Sequence, residues 1–321
     1  MSTTPTSRQV ETGDGAERPA HAESPRAVAA TGDGAVSLSP PAARRTSNSL
    51  LRRFFRRPMA VVFAAFLVAT AVACFVGPFF AHPPNAARFE VLQGPSAAHP
   101  MGTDPLGRDL LARVLAGGQV SLIVGISVAV LCLTIAIVVG GFAGYYGGLA
   151  DTLLMKVAEL FQVVPAIILA LVVAAMLGSS MTMIIFILSF TMWPQVARIV
   201  RVESMKVAEL GYVESARTVG FGSLRIFFSD VLPNAMPPVL VATTMTVGRA
   251  ILLESGLAFL GLGDANTPSW GALLNTAQSH IQTAWWLTFF PGLAIFLVVL
   301  STNMLGDMLN DTLNPTLSRV K

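Results

Sequence analysis

The chain has 321 residues, of which 53% are hydrophobic and 12% charged, and its formal net charge is +3. Soluble domains carry about 25% charged residues, so a chain this apolar cannot cover itself with polar surface in water, and lipid must solvate much of it. The net charge is small enough that its distribution matters more than its size.

Residues 1–49 are rich in Ser, Thr, Ala, Pro and Gly and almost lack large apolar side chains. Such a segment cannot offset its ordering entropy by burial and is expected to be disordered. The first apolar run begins near Pro58, too far along for an ordinary secretory signal, and Arg52, Arg53, Arg56 and Arg57 precede it as a positive-inside anchor against anionic lipid rather than a nucleic-acid patch.

A bilayer core takes about 20 helical residues. Spans are predicted at about 58–80 and 120–145, with segment 81–113 between them. Leu160–Ala197 is uncharged for 38 residues. As one helix it would reach about 57 Å, nearly twice the hydrocarbon thickness. Gly178-Ser179-Ser180 divides it, which predicts spans at 153–177 and 181–200. Two more follow at 238–262 and 285–305, giving an all-α polytopic protein with six transmembrane helices.

Nine Arg precede the first span, and Arg198, Arg201, Lys206, Arg217 and Arg225 follow the fourth. The positive-inside rule then puts both termini and loop 198–236 in the cytoplasm and segment 81–113 outside. Within the loop, Glu203–Glu209 continues the fourth helix and Tyr212–Val219 forms a short helix of its own. Gly220 allows a sharp turn, and Pro233, Pro237 and Pro238 restart the chain into the fifth span. Local physics leaves two readings open: a docking surface for a partner, or a solvated loop whose charges set topology.

Gly140, Gly144 and Gly148 form a small-residue series that admits close helix approach, in this chain or to a partner. Cys74 and Cys132 lie in apolar runs and read as packing residues. Lys156 and Glu159 are spaced to pair along a helix, Asp307 and Asp311 are like charges at a wet helix end, and His99 and His280 are isolated. No metal-ligand spacing, no Ser/His/Asp or Cys/His pattern and no phosphate-binding G-x-x-x-x-G-K-[S/T] loop occurs, so no catalytic role is expected and the chain cannot itself be an ATPase.

Glu214-Ser215-Ala216, then Gly220, then Leu232-Pro233 resembles the Glu-Ala-Ala loop of bacterial ATP-binding cassette (ABC) importer permeases. His99–Asp109, Gly144–Gly148, Leu253–Gly263, Pro268–Gly271 and Phe290–Ile295 are similar, in order and spacing, to the second permease subunit of dipeptide, oligopeptide and nickel importers. The resemblance runs from about Leu50 to the C-terminus. Ser215 stands where the family usually has Ala, and Phe221-Gly222 where it usually has Ala-Ser. A type I importer permease fold in the bacterial inner membrane is implied, paired with a second permease to form the pore. Two cytoplasmic ATPase subunits would carry the ATP and magnesium, and an extracytoplasmic solute-binding protein would deliver di- or oligopeptides. No cofactor on this chain and no nucleic-acid partner are implied. Glu214, Ser215, Ala216, Arg217, Gly220, Leu232 and Pro233 would form the ATPase-coupling surface.

Outside the loop, Asp104-Pro105 reads as a helix start running through Arg113. Asp104, Arg108 and Asp109 either serve that structure or form an external rim for the solute-binding protein. Arg249 and Glu254, charges within a span, either line the translocation path or pair with each other. The competing function classes are a self-sufficient secondary transporter or channel, which calls for inverted repeats or several buried carboxylates, and a membrane-anchored scaffold.

Overall fold

The structure is a computed structural model that describes residues 57–178, 180–264 and 267–313; the tail 1–49 lies outside the described residues. Its elements are α-helices: α1 Pro58–Phe79, α2 Leu110–Tyr146, α3 Gly148–Val163, α4 Ala166–Leu177, α5 Met181–Ala208, α6 Gly211–Thr218, α7 Ser223–Leu262, α8 Trp270–Ala277 and α9 Trp286–Leu313. Helices α1, α2, α5, α7 and α9 are each long and apolar enough to cross a membrane. A sixth crossing exists only if α3 and α4 count together, and they are bent by 79°. The sequence reading had one straight span here. Pro165 breaks it, because proline disfavours helical backbone at the residue before it, and Val164 is extended. The expected break at Gly178 is present: that residue has φ +92°, and Ser180 caps α5 by accepting from Met183 N–H.

Further boundaries differ from expectation. Helix α2 begins ten residues before the predicted span, because Asp109 caps it by accepting from Ala112 N–H at 3.0 Å. The separate surface helix expected from Asp104 through Arg113 is therefore absent: Asp104 closes a tight turn and Arg113 already belongs to α2. Helix α7 begins at Ser223 and carries π-turns at Phe227–Val231 and Ala258–Leu262. The prolines at 233, 237 and 238 lie inside this helical run rather than restarting it. Helix α9 extends about two turns past its predicted end, whereas α5 runs on to Ala208, in agreement with the continuation expected over Glu203–Glu209.

Helices α2, α5 and α7 pack on one another at the centre. One apolar cluster joins them to α3 and α4 through Val128, Leu188 and Leu257 with Ala158 of α3 and Ala170 of α4. A second joins α1, α8 and α9 through Cys74, Trp270, Ile251 and Val298. Both cysteines are free and buried, in keeping with the packing role expected of them. The contact of α2 with α5 depends on small residues: a Cβ on Gly140 would collide with the Ala197 carbonyl, and one on Gly144 with the Arg201 carbonyl. The glycine series thus serves packing within the chain. Gly148 takes no part, since it has no neighbour within 4 Å and a φ of +58° that turns the chain into α3. Gly140→Ala is expected to destabilise the bundle by about 1–3 kcal/mol through overpacking. Thermal unfolding in detergent measures this, and an unmoved midpoint would contradict the close contact.

The bundle has two distinguishable ends. Arg57 before α1 pairs with Asp311 near the end of α9 at 2.9 Å, so both described chain ends share one end. At the opposite end, Trp286 Nε1 donates to the Thr103 carbonyl at 3.2 Å and fastens α9 to the 81–109 segment. Helix α6 lies at the first end.

Candidate functional site

The strongest candidate from sequence, the loop around α6, forms a small structured surface. Helix α6 ends where Gly220, with φ +89°, reverses the chain. Gly220 N–H donates to the Arg217 carbonyl at 3.0 Å and Phe221 N–H to the Ala216 carbonyl at 3.2 Å. This pair of bonds is the Schellman arrangement, which favours glycine at the left-handed position. Ser215 and Thr218 each return their hydroxyl to the carbonyl one turn back, Gly211 and Glu214 respectively.

One side of α6 faces the bundle. Val213 is fully buried with Ile226, Phe227, Val231 and Ala235, and Tyr145 and Val207 complete the cluster. The Arg217 guanidinium lies 5.2 Å from the Tyr145 ring centroid, a cation–π contact between α6 and the end of α2. Phe227 sits 5.7 Å from Tyr145 and 5.3 Å from Phe142, and the missing side chain of Gly141 makes room for it. The end of α2 is in turn tied onward. Arg201 of α5 makes a two-pronged ion pair with Asp151 of α3, its Nη2 donating to Oδ2 at 2.5 Å. This ion pair, rather than the expected Lys156–Glu159 pair, holds α3 here; Lys156 and Glu159 line a cleft of about 410 Å³ between α3 and α5.

The other side of the loop is open. Glu214, Ser215, Arg217 and Gly220 are exposed, as is Pro233, while Ala216 and Leu232 are half-buried. Leu210, Tyr212, Val219, Phe221 and Leu224 are large apolar residues left exposed around them, Val219 at 74%. Arg225 lies 4.6 Å from the Phe221 ring, so the residue that departs from the family pattern is held by its own cation. Sequence reasoning found the exposed residues but missed the anchors Val213, Tyr145 and Phe227. The apolar pair Phe227-Phe228 was the available signal, since one of the two had to face inward.

At the far end, Asp104 and Asp109 are not an open rim. They are 2% and 5% exposed. Asp104 Oδ1 accepts from Leu106 and Arg108 N–H at 2.8 and 2.9 Å, and its Oδ2 pairs with Arg108 Nε at 2.6 Å. Asp109 Oδ2 meets His99 Nδ1 at 2.9 Å, so His99 is a partnered buried residue and not isolated. A buried carboxylate needs such donors, which is why these acids turn inward.

Arg249 and Glu254 do not pair. Arg249 is exposed, and its Nη1 donates to Gln195 Oε1 on α5 at 2.5 Å. Glu254 is 2% exposed and so does not line an open wall. It accepts from Ser121 of α2 at 3.1 Å and from Ser255 at 3.3 Å, with the Ser269 hydroxyl on the same carboxylate. Trp270 N–H donates to Ser121 Oγ and Trp270 Nε1–H to the Val114 carbonyl. Helix α8 therefore dips into the bundle and is pinned where α2, α7 and α8 meet. Glu254→Leu strands three hydroxyls and is expected to cost about 2–5 kcal/mol, whereas Glu254→Gln keeps an acceptor and should cost under about half of that. Detergent melting curves compare the two, and equal losses would contradict the hydroxyl network. Among the described residues no group of three or more His, Cys, Asp and Glu is placed to hold a metal ion.

Two family models match the chain. Residues 136–319 match the binding-protein-dependent transport system inner membrane component, and residues 48–95 match the N-terminal transmembrane domain of oligopeptide transport permease C. The chain is 39% identical over 272 residues to a glutathione transport system permease protein of Pectobacterium atrosepticum, covering 83% of this chain and 90% of that protein. It is 38% identical over 227 residues to a di/tripeptide transport system permease protein of Pseudomonas aeruginosa, covering 70% of this chain and 75% of that one. A chain of the inward-facing MetNI methionine ABC transporter aligns with a TM-score of 0.51 at 20% identity, over 62% of this chain and 96% of that chain, and shares the fold.

Proposed function

The chain belongs to the family of binding-protein-dependent transport system inner membrane components, and from that membership we propose that it is the second permease of a heteromeric importer for di- or oligopeptides or similar small solutes. Membership favours this reading over a self-sufficient secondary transporter or channel. The permease pairs with a second permease to enclose the pore, receives solute from an extracytoplasmic binding protein, and is driven by two ATPase subunits that hold the ATP and magnesium. Its own helices perform no chemistry. The positive residues Arg198, Arg201, Lys206, Arg217 and Arg225 support a cytoplasmic position for the α6 end, with both chain termini on that side.

The observation that carries the coupling role is the two-sided build of α6. Its inner side is locked to α2 and α7 through Val213, Arg217–Tyr145 and Phe227. Its outer side offers Ser215, a small residue that allows close approach, ringed by exposed Leu210, Val219 and Phe221. Movement of an ATPase surface against α6 would reach α2 through packed rings and not through a slack loop. Such rigid-body motion biases a two-state pore. Reconstitution in proteoliposomes tests the assignment: ATP-dependent peptide uptake should require this chain, a second permease and an ATPase together. Uptake by this chain alone would contradict it.

A further inference from the structure

At the end of the bundle remote from α6, a cleft of about 500 Å³ opens between the turn before α2 and the connection from α7 to α8. Its walls include Asn85, Arg108, Arg113, Asp264, Thr267 and Asn275. Two guanidinium groups on these walls, Arg108 and Arg113, share one carboxylate. Asp104 serves two guanidinium groups, with Arg108 Nε at 2.6 Å and Arg113 Nη1 at 3.4 Å, the latter without hydrogen-bond geometry. Arg113 is 6% exposed, and neither its Nε nor its Nη1 has a hydrogen-bond partner among the described residues. Thr267 Oγ1, buried on the same wall, has none either. The other acids are engaged: Asp109 by His99 and the Ala112 N–H, and Asp264 by the Met181 N–H at 3.2 Å.

A buried guanidinium is costly unless paired and hydrogen-bonded. Its matching partner is a planar anion that takes two N–H groups at once, which a carboxylate does best. The volume lies within the range of small-molecule sites, about 300–1,000 Å³. We propose that this cleft is a carboxylate-binding site, with Arg113 and Thr267 as the receiving donors and Asp104 holding Arg113 in place. The carboxylate comes from the C-terminus of a short peptide solute or from a side chain of the docked solute-binding protein. The naming of these two sources rests on the transport reading above; the site's preference for a carboxylate does not.

The test uses the assembled importer in lipid nanodiscs without nucleotide, with trialanine and trialanine amide as probes and the co-purified solute-binding protein as a third ligand. Trialanine is expected to bind saturably and its amide at least about tenfold more weakly. Arg113→Gln should weaken trialanine binding by about tenfold. Asn85→Asp should do the same by placing a like charge at the cleft, and Asn85 is exposed, so this variant decides the matter even if Arg113→Gln fails to fold. If neither peptide binds but Asn85→Asp weakens docking of the binding protein about tenfold, the site stands and the carboxylate belongs to that protein. Unchanged affinity for all three ligands in a folded Asn85→Asp complex overturns the proposal. Carboxylate-dependent binding by a wild-type complex that drives no uptake would sink the transport reading and leave the cleft standing. Uptake with no carboxylate dependence at the cleft would do the reverse.

Discussion

Replacing Gly220 by proline is expected to abolish ATP-driven uptake while leaving the protein inserted in the membrane at near wild-type amount. Gly220 has φ +89°, and proline is fixed near −65°, so the reversal after α6 cannot form. The substitution also deletes the N–H that bonds the Arg217 carbonyl and forces Val219 out of its helical conformation. The expected local cost is about 3 kcal/mol or more. The damage stays local because nothing lies within 4 Å of the position a Cβ would take. Gly220→Ala is the graded control: it keeps the N–H and strains only φ, at about 1–2 kcal/mol, and should retain partial uptake. Normal uptake by the proline variant, at wild-type expression, would contradict the coupling role.

Phe227→Ala is expected to have the second largest effect and to act from the other side of the same joint. Phe227 is fully buried and contacts Tyr145, Phe142 and the face of Gly141. Removing it leaves a cavity between α2 and α7 and should cost about 3–5 kcal/mol. If α6 drives the pore through this ring cluster, the variant should lose coupling: the importer would hydrolyse ATP but move about tenfold less solute per ATP. The neighbouring Phe228 is 55% exposed, so Phe228→Ala should leave both melting temperature and coupling nearly unchanged. Equal behaviour of the two variants would remove Phe227 from the path.

Much of the architecture was legible in the sequence because lipid imposes long apolar runs, and α1, α5 and α9 follow from uncharged ones, α7 from one that holds only Arg249 and Glu254. The same signal is blind to a bend inside an apolar run. The break at Pro165 changes no hydropathy, so α3 and α4 read as one span. Helix α2 was found too short because its first turns, Leu110–Ala116, hold Arg113, whose charge interrupts the apolar run. The α6 loop was legible because polarity between two apolar runs, a helix-permissive stretch and a turn glycine coincide there. Its anchoring was not, since Tyr145, Val213 and Phe227 lie in turn 68 and 14 residues apart along the chain and meet only after folding. Charge placement misled in one respect. Arg249 and Glu254 share a span and carry opposite signs, but they lie five positions apart, off the three- and four-residue spacings that bring helical side chains together. Each finds its partner on another helix, Gln195 on α5 and Ser121 on α2.

The central claim is that the outer side of α6 is where an ATPase subunit docks. Ser215 is exposed at the middle of that helix, so a photo-crosslinking amino acid placed at position 215 and irradiated in intact membranes tests contact directly. The account predicts a covalent adduct with a nucleotide-hydrolysing subunit, its yield changing when ATP is added. Adducts with lipid or with the solute-binding protein, and none with an ATPase, would contradict it.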